Sequence, residues 1–453
     1  APRRTSRRAW TGLKRLYEDY AYGPEPIKNC FWDRSVPLPQ LPPLSGSRKV
    51  DVAVIGAGYT GLSAALHLAQ DGAEVAVVDA ETPFWGASGR NGGFCCLGGA
   101  KASDKTLVTR FGNAGKTAFR RSEKAAVTCV ADLITRHGIK ADCHSNGETV
   151  LAHRPQDMTA LRRQAIDIKN DYGVEAHYIS APHLSAHGMT GPFHGAMTIP
   201  IGFALNPRKY ANGLLCAAQS AGAKVFANSP VTKLQKNQAF SLNTPQGQIT
   251  AEKVIFATNG YSSDHLPDWM RGRYLPVQSS IIVTRPLTAS EQAAQGWTSL
   301  QMAFDSRELL HYFRLMPDGR FLFGMRGGIF ATARANKAAA RKIKADFRQM
   351  FPAWADVEIT DHWSGLVCLT RNLTPYIGPV PGLSGAFAGF AWHGNGIAMG
   401  SYAGAILADL LQNKASRHPY PAALKTIPNR FPAAPFRRHL LHPAYVGLAL
   451  KDL

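Results

Sequence analysis

Apolar runs of strand length alternate with helix-period segments from one end of the chain to the other. Residues 50–55 are an apolar, β-branched run of buried-strand length, interrupted only by Asp51. The run stops at Gly56-Ala57-Gly58-Tyr59-Thr60-Gly61, and residues 62–70, rich in Leu, Ala and Gln, read as a helix that Asp71-Gly72 ends. Residues 75–78 form a second apolar run, closed by Asp79 and Ala80. The pattern predicts strand, tight turn, helix, strand. Further along, the periodicity predicts helices over 116–137 and 157–172, a helix entered at Asn206-Pro207 and ended at Gly222, a helix over 331–351, and one running from 394 to 411. Strands are predicted at 146–152, 224–226, 231–234, 248–256, 275–285, 309–316, 320–324, 362–369 and 385–391, with a turn over 374–378. Residues 1–48 read as an extension, with a short basic helix near 11–20 and then a Pro-rich arm; residues 413–453 read as a Pro-rich, basic tail.

The first unit carries chemistry. Gly56 permits a sharp turn, Gly58 lets backbone approach a pyrophosphate, and Gly61 lets the helix pack close to the strand. Amide groups at the helix start, around Tyr59 and Thr60, then face phosphates. An acid at Asp79 accepts hydrogen bonds from ribose hydroxyls, which favours FAD or NAD over a 2′-phosphorylated nucleotide. Just beyond it, Gly86-Ala87-Ser88-Gly89-Arg90-Asn91-Gly92-Gly93 is too rich in glycine for a regular element. Such a loop lets backbone lie against a flat ligand, with Ser88, Arg90 and Asn91 as polar groups.

Composition bounds the class. A chain of 453 residues with 45% hydrophobic content has room for two or three domains. No apolar run reaches the length needed to span a bilayer. The arginine-rich start lacks an apolar stretch and does not read as a secretory signal. Seven scattered cysteines without a C-x-x-C pair argue against a disulfide framework and against zinc, so no metal is expected and the cytoplasm is the expected compartment. The net charge of +20 is high. Part of it lies on the helix predicted at 331–351, where Ile343, Phe347, Met350 and Phe351 define the inward face, so a solvated basic surface is expected rather than a nucleic-acid site.

The ordered set of motifs resembles the D-amino-acid-oxidase-like superfamily of FAD enzymes, and within it the gamma-glutamylputrescine oxidoreductase branch. The pieces are Gly56–Gly61 with Asp79, the loop from Gly86 to Gly93, Asn206-Pro207, Ala257-Thr258-Asn259-Gly260, Trp363-Ser364-Gly365 and His393-Gly394-Asn395-Gly396. The resemblance implies an α/β fold: a split Rossmann-like FAD-binding domain (49–110, 202–262 and 360–412) with an inserted α+β substrate domain on an antiparallel sheet (111–201 and 263–359). It implies FAD held non-covalently, with Val231 at the adenine and Gly394, Asn395, Gly396 and Ile397 at the flavin. A positive helix end there stabilises the reduced flavin anion.

Departures from the family pattern are Asp79 for Glu, Asn395 for His, and the lack of a lysine on strands 312–316 and 320–324. Cys368, Cys95 and Cys96 are the candidates for a thioether to flavin, although a buried free cysteine is commonly just a small apolar residue. The implied reaction is oxidation of an amine or amino-acid C–N bond, with hydride passing to flavin N5 and the imine hydrolysing. Candidates near the reacting atoms are His393 as a base, Trp392 as a wall, Tyr312, and Arg314 or Arg326 as an anion fork. The basic charge leans the substrate towards an amino acid or acidic amine. The acceptor is oxygen or, in an alternative reading, a membrane quinone reached through peripheral contact of the basic and apolar tail.

Overall fold

The computed structural model describes residues 13–452. Two eight-stranded sheets organise it. In the first, Gly46–Ile55 lies centrally, parallel to Val75–Val78 on one side and to Gly247–Phe256 on the other. Lys224–Phe226 extends one edge; Ala386–Phe390 and then Tyr376–Pro379 extend the other. A hairpin of Lys233–Lys236 and Phe240–Asn243 pairs with the outer half of Gly247–Phe256.

Alternation along the strands buries both faces of this sheet. Val52, Val54, Val75 and Val77 meet the helices Tyr59–Gln70, Pro207–Ser220 and Gly396–Leu411, while Ala53, Ile55, Ala76 and Val78 join the core under the hairpin. Strands apolar on both sides are what a helix-covered parallel sheet requires.

The second sheet runs in the order Ile359–Leu369, Leu275–Thr284, Phe321–Arg326, His311–Leu315, Met302–Asp305, Glu148–Leu151, Gly195–Ile199, His177–Ser180. It is antiparallel except where Met302–Asp305 runs parallel to Glu148–Leu151. One face packs Phe313, Phe321 and Phe323 against the basic helix Ala333–Met350, whose Ile343, Phe347 and Met350 are buried as the periodicity requires. The other face, with Ile281, Leu322, Trp363 and Tyr312, turns towards the first sheet.

Several expectations need correction. Residues 360–369 were grouped with the nucleotide unit, but Ile359–Leu369 pairs with Leu275–Thr284 along nearly its whole length and belongs to the second sheet. Residues 374–378 are not simply a turn: Tyr376–Pro379 is an edge strand, where a proline is tolerated because its missing N–H faces outward. The helix expected near 11–20 lies partly outside the described residues, and the described part forms only a 3₁₀ turn at Asp19–Tyr22. The extension is not loose, since Tyr22 and Trp32 are buried. The tail is structured too. It ends in the helix Leu441–Lys451 and anchors itself through Arg437, which is fully buried and donates two hydrogen bonds to Asp264, at 2.9 and 2.6 Å. No helix among the described residues is long and apolar enough to cross a membrane.

Candidate active site

A cavity of about 390 Å³ runs between the two sheets, within the roughly 300–1,000 Å³ usual for small-molecule sites. Its first end is built by the fingerprint. Gly56 adopts φ +106°, and a Cβ on Gly61 would fall 1.9 Å from the Gly56 carbonyl oxygen, so only glycine lets the helix approach the strand. Asp79 accepts hydrogen bonds from Ala57 N (2.7 Å) and Glu81 N (2.9 Å). Burial pushes its carboxyl upward and those two amide bonds oppose the shift. Each Asp79 oxygen keeps a lone pair for a further donor. Val231, Ala80 and Arg15 line the same end.

The glycine-rich loop follows. Ser88 Oγ accepts from Tyr59 N (3.0 Å), capping the fingerprint helix, and a Cβ on Gly58 would press on that hydroxyl. Asn91 donates to Ala87 O and Ser88 O and accepts from Gly93 N. Arg90 is buried and donates to Trp85 O (2.6 and 3.0 Å) and Ser364 O (3.3 Å), with its guanidinium over the Trp85 ring. Arg90 therefore ties the loop together. Gly86, Ala87, Ser88, Arg90, Asn91 and Gly92 all line the cavity.

At the far end, Ala391, His393 and Gly394 take positive φ (+66°, +50° and +107°), turning the chain sharply into the helix Gly396–Leu411. Gly394, Asn395, Gly396 and Ile397 line the cavity at that helix start, and Trp392 and Tyr312 wall it. The Tyr312 hydroxyl shares a hydrogen bond with Ser279 (2.9 Å), and burial raises it to about 12, a neutral phenol at working pH. Thr258 and Asn259 line the floor, Asn259 accepting from Ala391 N (2.9 Å).

Some sequence candidates sit elsewhere. Arg314 is fully buried outside the cavity, its guanidinium bonded to Leu205 O (2.8 Å) and His144 Nε2 (2.9 Å). Trp363 donates to Arg90 O (2.7 Å) behind the loop, and Gly61, Gly93 and Gly260 support the lining rather than forming it. His393 is not free to act as a base. Its Nδ1 faces Gly99 O (2.8 Å) and its Nε2 accepts from Thr370 N (3.2 Å), which defines the neutral tautomer, and burial lowers its pKa to about 3.

Sequence reasoning missed two groups. Lys101 and Glu148 line this end together with the expected Arg326, so a lysine does face the site, from a loop rather than from the strands first considered. Of the cysteines, Cys368 and Cys96 line the cavity and Cys95 does not; burial pushes the Cys368 thiol up to about 12.

A glycine cradle at a helix start, a carboxylate with uncommitted lone pairs at the end of the next strand, and a long cavity roofed by a second sheet define a dinucleotide-binding oxidoreductase of the flavoprotein class. Residues 51–410 match the model of the FAD dependent oxidoreductase (DAO) family, and the chain belongs to that family. FAD is its cofactor. The glycine approaches and the uncommitted Asp79 lone pairs fit that group, and Gly56, Gly58, Asp79, Val231 and Gly394–Ile397 are the residues that would hold it. The chain is similar to the probable oxidoreductase OrdL of Rhizobium meliloti (strain 1021), at 31% identity over 93% of this chain and 97% of that one. It is similar to gamma-glutamylputrescine oxidoreductase of Escherichia coli (strain K12), at 29% over 83% and 86%. Among solved structures, glycine oxidase from Geobacillus kaustophilus superposes with a TM-score of 0.68 at 20% identity, covering 85% of this chain and all of that one. Iminodiacetate oxidase from Chelativorans sp. BNC1 gives 0.67 at 22%, over 83% of this chain and all of that one.

Proposed function

We propose that the protein oxidises the C–N bond of an amino acid, or of an amine carrying a carboxylate. A hydride leaves the carbon, and the imine formed hydrolyses to a keto acid or aldehyde plus the amine. FAD, when bound, supplies the two-electron acceptor.

One observation carries the substrate class. Arg326 lines the cavity beside Gly394, where an added Cβ would lie 2.4 Å from its Nη2, and among the described residues its guanidinium has no hydrogen-bond or ion-pair partner. A bare guanidinium in an enclosed site is matched by a planar anion it can fork onto. In this reading Arg326 orients the substrate carboxylate, while Trp392 and Tyr312 wall the carbon that loses hydride. Relatives named for glycine and for gamma-glutamylputrescine support amine oxidation as the chemistry. The net charge of +20 favours an anionic or zwitterionic substrate over a polycation.

The acceptor has two readings, oxygen and a membrane quinone. The second is favoured by the C-terminal segment, where Phe436, Val446 and Leu450 are 68%, 63% and 65% exposed beside a basic surface, the composition that rests on an anionic bilayer. In that reading the protein works as a peripheral enzyme on the inner membrane face.

An anaerobic absorbance screen of the purified flavoprotein tests the proposal. It would use D- and L-amino acids, N-methyl amino acids, aminophosphonates and polyamines. Amino acids are expected to bleach the flavin band and polyamines to leave it. The proposal fails if no amine bleaches it. Readmitting air, or adding a soluble quinone, then separates the two acceptors.

A further inference from the structure

The flavin end of the cavity holds a lysine that the description so far leaves without a task. Backbone geometry fixes where it stands. Gly98 and Gly99 take φ +129° and +127° and run against the final core helix: a Cβ on Gly98 would meet the Asn395 side chain at 2.7 Å, and one on Gly99 would meet Met399 at 2.8 Å. Asn395 Nδ2 donates to Leu97 O (2.5 Å), His393 Nδ1 to Gly99 O (2.8 Å), and both Lys101 N (2.8 Å) and Ala102 N (3.1 Å) to Leu373 O. The segment 97–102 is thus clamped beside the start of Gly396–Leu411, and Lys101 reaches into the cavity from there. Among the described residues its ammonium makes no hydrogen bond or ion pair.

We propose that Lys101 is the base of the oxidation, its ε-amine taking the proton from the substrate ammonium. This rests on the amine-oxidising reading above. The balance is simple. An N–H bond of the substrate breaks, the proton goes to Lys101 Nζ, and the electron pair stays on the substrate nitrogen. As the neighbouring C–H leaves as hydride to the flavin, that pair becomes the C=N bond. Lys101 then returns its proton to water when the product leaves.

The surroundings suit the role. Lys101 is an exposed residue whose side chain lines the cavity. The Arg326 charge, on strand Phe321–Arg326, is the main influence, and desolvation adds to it, so the lysine is lowered to about 7. Glu308, Cys96 and Glu148 oppose the shift without cancelling it, and the remaining facing group, His393, is neutral. Glu148, on Glu148–Leu151, is itself pushed up to about 8 by burial. At neutral pH a large share of Lys101 is therefore the free amine, matched to a general base's working range. The other candidates do not compete: His393 has both ring nitrogens engaged, and the Tyr312 phenol holds its proton.

The test has two arms on the FAD-loaded full chain. In the first, trace acetic anhydride labels lysines across a pH series, and mass spectrometry reads each site. Lys101 is expected to inflect near pH 7 in wild type, and nearer the ordinary lysine range of about 10.4 in R326M. In the second, anaerobic stopped-flow follows flavin reduction by the amino acid that bleaches wild type fastest. K101M and K101R are expected to be roughly 10²–10⁴-fold slower at pH 7, with the gap closing as pH approaches the substrate's own amine pKa. K101R keeps the charge and loses the base, so equal loss in both variants separates proton transfer from electrostatics. K101R carries the arm alone if K101M does not retain flavin. Labelling of Lys101 like a surface lysine overturns the proposal. So does a K101R rate that matches wild type, or one that falls by the same factor at every pH. A wild-type flavin that no amine bleaches refutes the underlying reading, and is seen before any variant is made.

Discussion

Gly61→Ala is expected to abolish FAD retention while leaving the chain folded. The new Cβ would lie 1.9 Å from Gly56 O, 3.1 Å from its carbonyl carbon and 3.2 Å from Val54 Cγ1. The first contact is with backbone that cannot yield cheaply, because Gly56 N is itself bonded to Val78 O (2.9 Å) in the turn. A tolerable carbon–oxygen separation requires the helix start to move by about 1 Å. Its neighbour limits that movement: the fingerprint helix touches Gly404 so closely that a Cβ there would meet Thr60 O at 2.5 Å, so displacing it strains the final core helix as well. Overpacking of this kind costs about 1–3 kcal/mol of stability. A 1 Å shift also misaligns the amides that face the pyrophosphate. Losing two charge-assisted hydrogen bonds at about 1.5–3 kcal/mol each weakens FAD by roughly 10²–10⁴-fold. The assay is flavin titration of the apoprotein by fluorescence quenching, beside a thermal melt of the same sample. Gly447→Ala is the control, since nothing lies within 4 Å of that position. A Gly61→Ala protein that binds FAD with unchanged Kd would refute the reasoning.

Arg326→Met is expected to raise KM for an amino-acid substrate by about ten- to a hundredfold through loss of the forked hydrogen bonds, with Arg326→Lys intermediate; unchanged steady-state kinetics would remove Arg326 from the carboxylate site. His311 bridges Asp305 (2.9 Å) and Asp346 (3.0 Å). Burial lowers its pKa, but the two carboxylates outweigh burial and raise it. A raised folded-state pKa contributes stability that is complete below about 6.5, the ordinary histidine value, and is lost as pH climbs through the folded value. Urea melts should therefore show His311→Gln most destabilised near pH 6, with the gap narrowing above; a gap that widens with pH contradicts this sign. The double substitution Val446→Glu, Leu450→Glu is expected to end co-sedimentation with phosphatidylserine vesicles, which the wild type should show and zwitterionic vesicles should not support. Equal sedimentation of wild type and variant would take the membrane reading of the tail away.

The nucleotide half was legible because it is local. Glycine spacing, the apolar runs on both sides and Asp79 all lie within one βαβ unit, and each residue's task follows from backbone sterics that spacing alone reveals. The substrate half was not, because register assembles it. Glu148 meets Lys101 and Arg326 only because Glu148–Leu151 pairs with Met302–Asp305, more than a hundred residues away in sequence, and nothing in either short strand announces the partner. Strand Ile359–Leu369 was visible as a strand, but its sheet was not, since pairing carries no local mark. Arg314 and Arg326 looked alike as strand arginines. Register puts both on the same face, since Arg314 pairs with Leu322, two residues short of Gly324 and four short of Arg326; one is engaged by Leu205 O and His144 and the other is bare, a difference decided by where along that face each stands.

His393 shows how far residue type can mislead about role. It drew attention as the titratable group nearest the helix start, yet its site removes the proton chemistry that makes histidine useful. What remains is its geometry. One ring nitrogen holds Gly99 O and the other holds Thr370 N, so the ring joins the loop 97–102 to the strand end after Leu369 and to the turn that opens the last core helix. Asn395 makes the second tie to that loop, through Leu97 O. A neutral ring suits this task, because an imidazolium would have to give up the Thr370 N–H bond and would place a third positive charge beside Arg326 and Lys101. The low pKa of His393, set first by burial, thus keeps a further charge away from Arg326 and Lys101, and the lysine proposed as the base is carried by the loop that His393 holds in place.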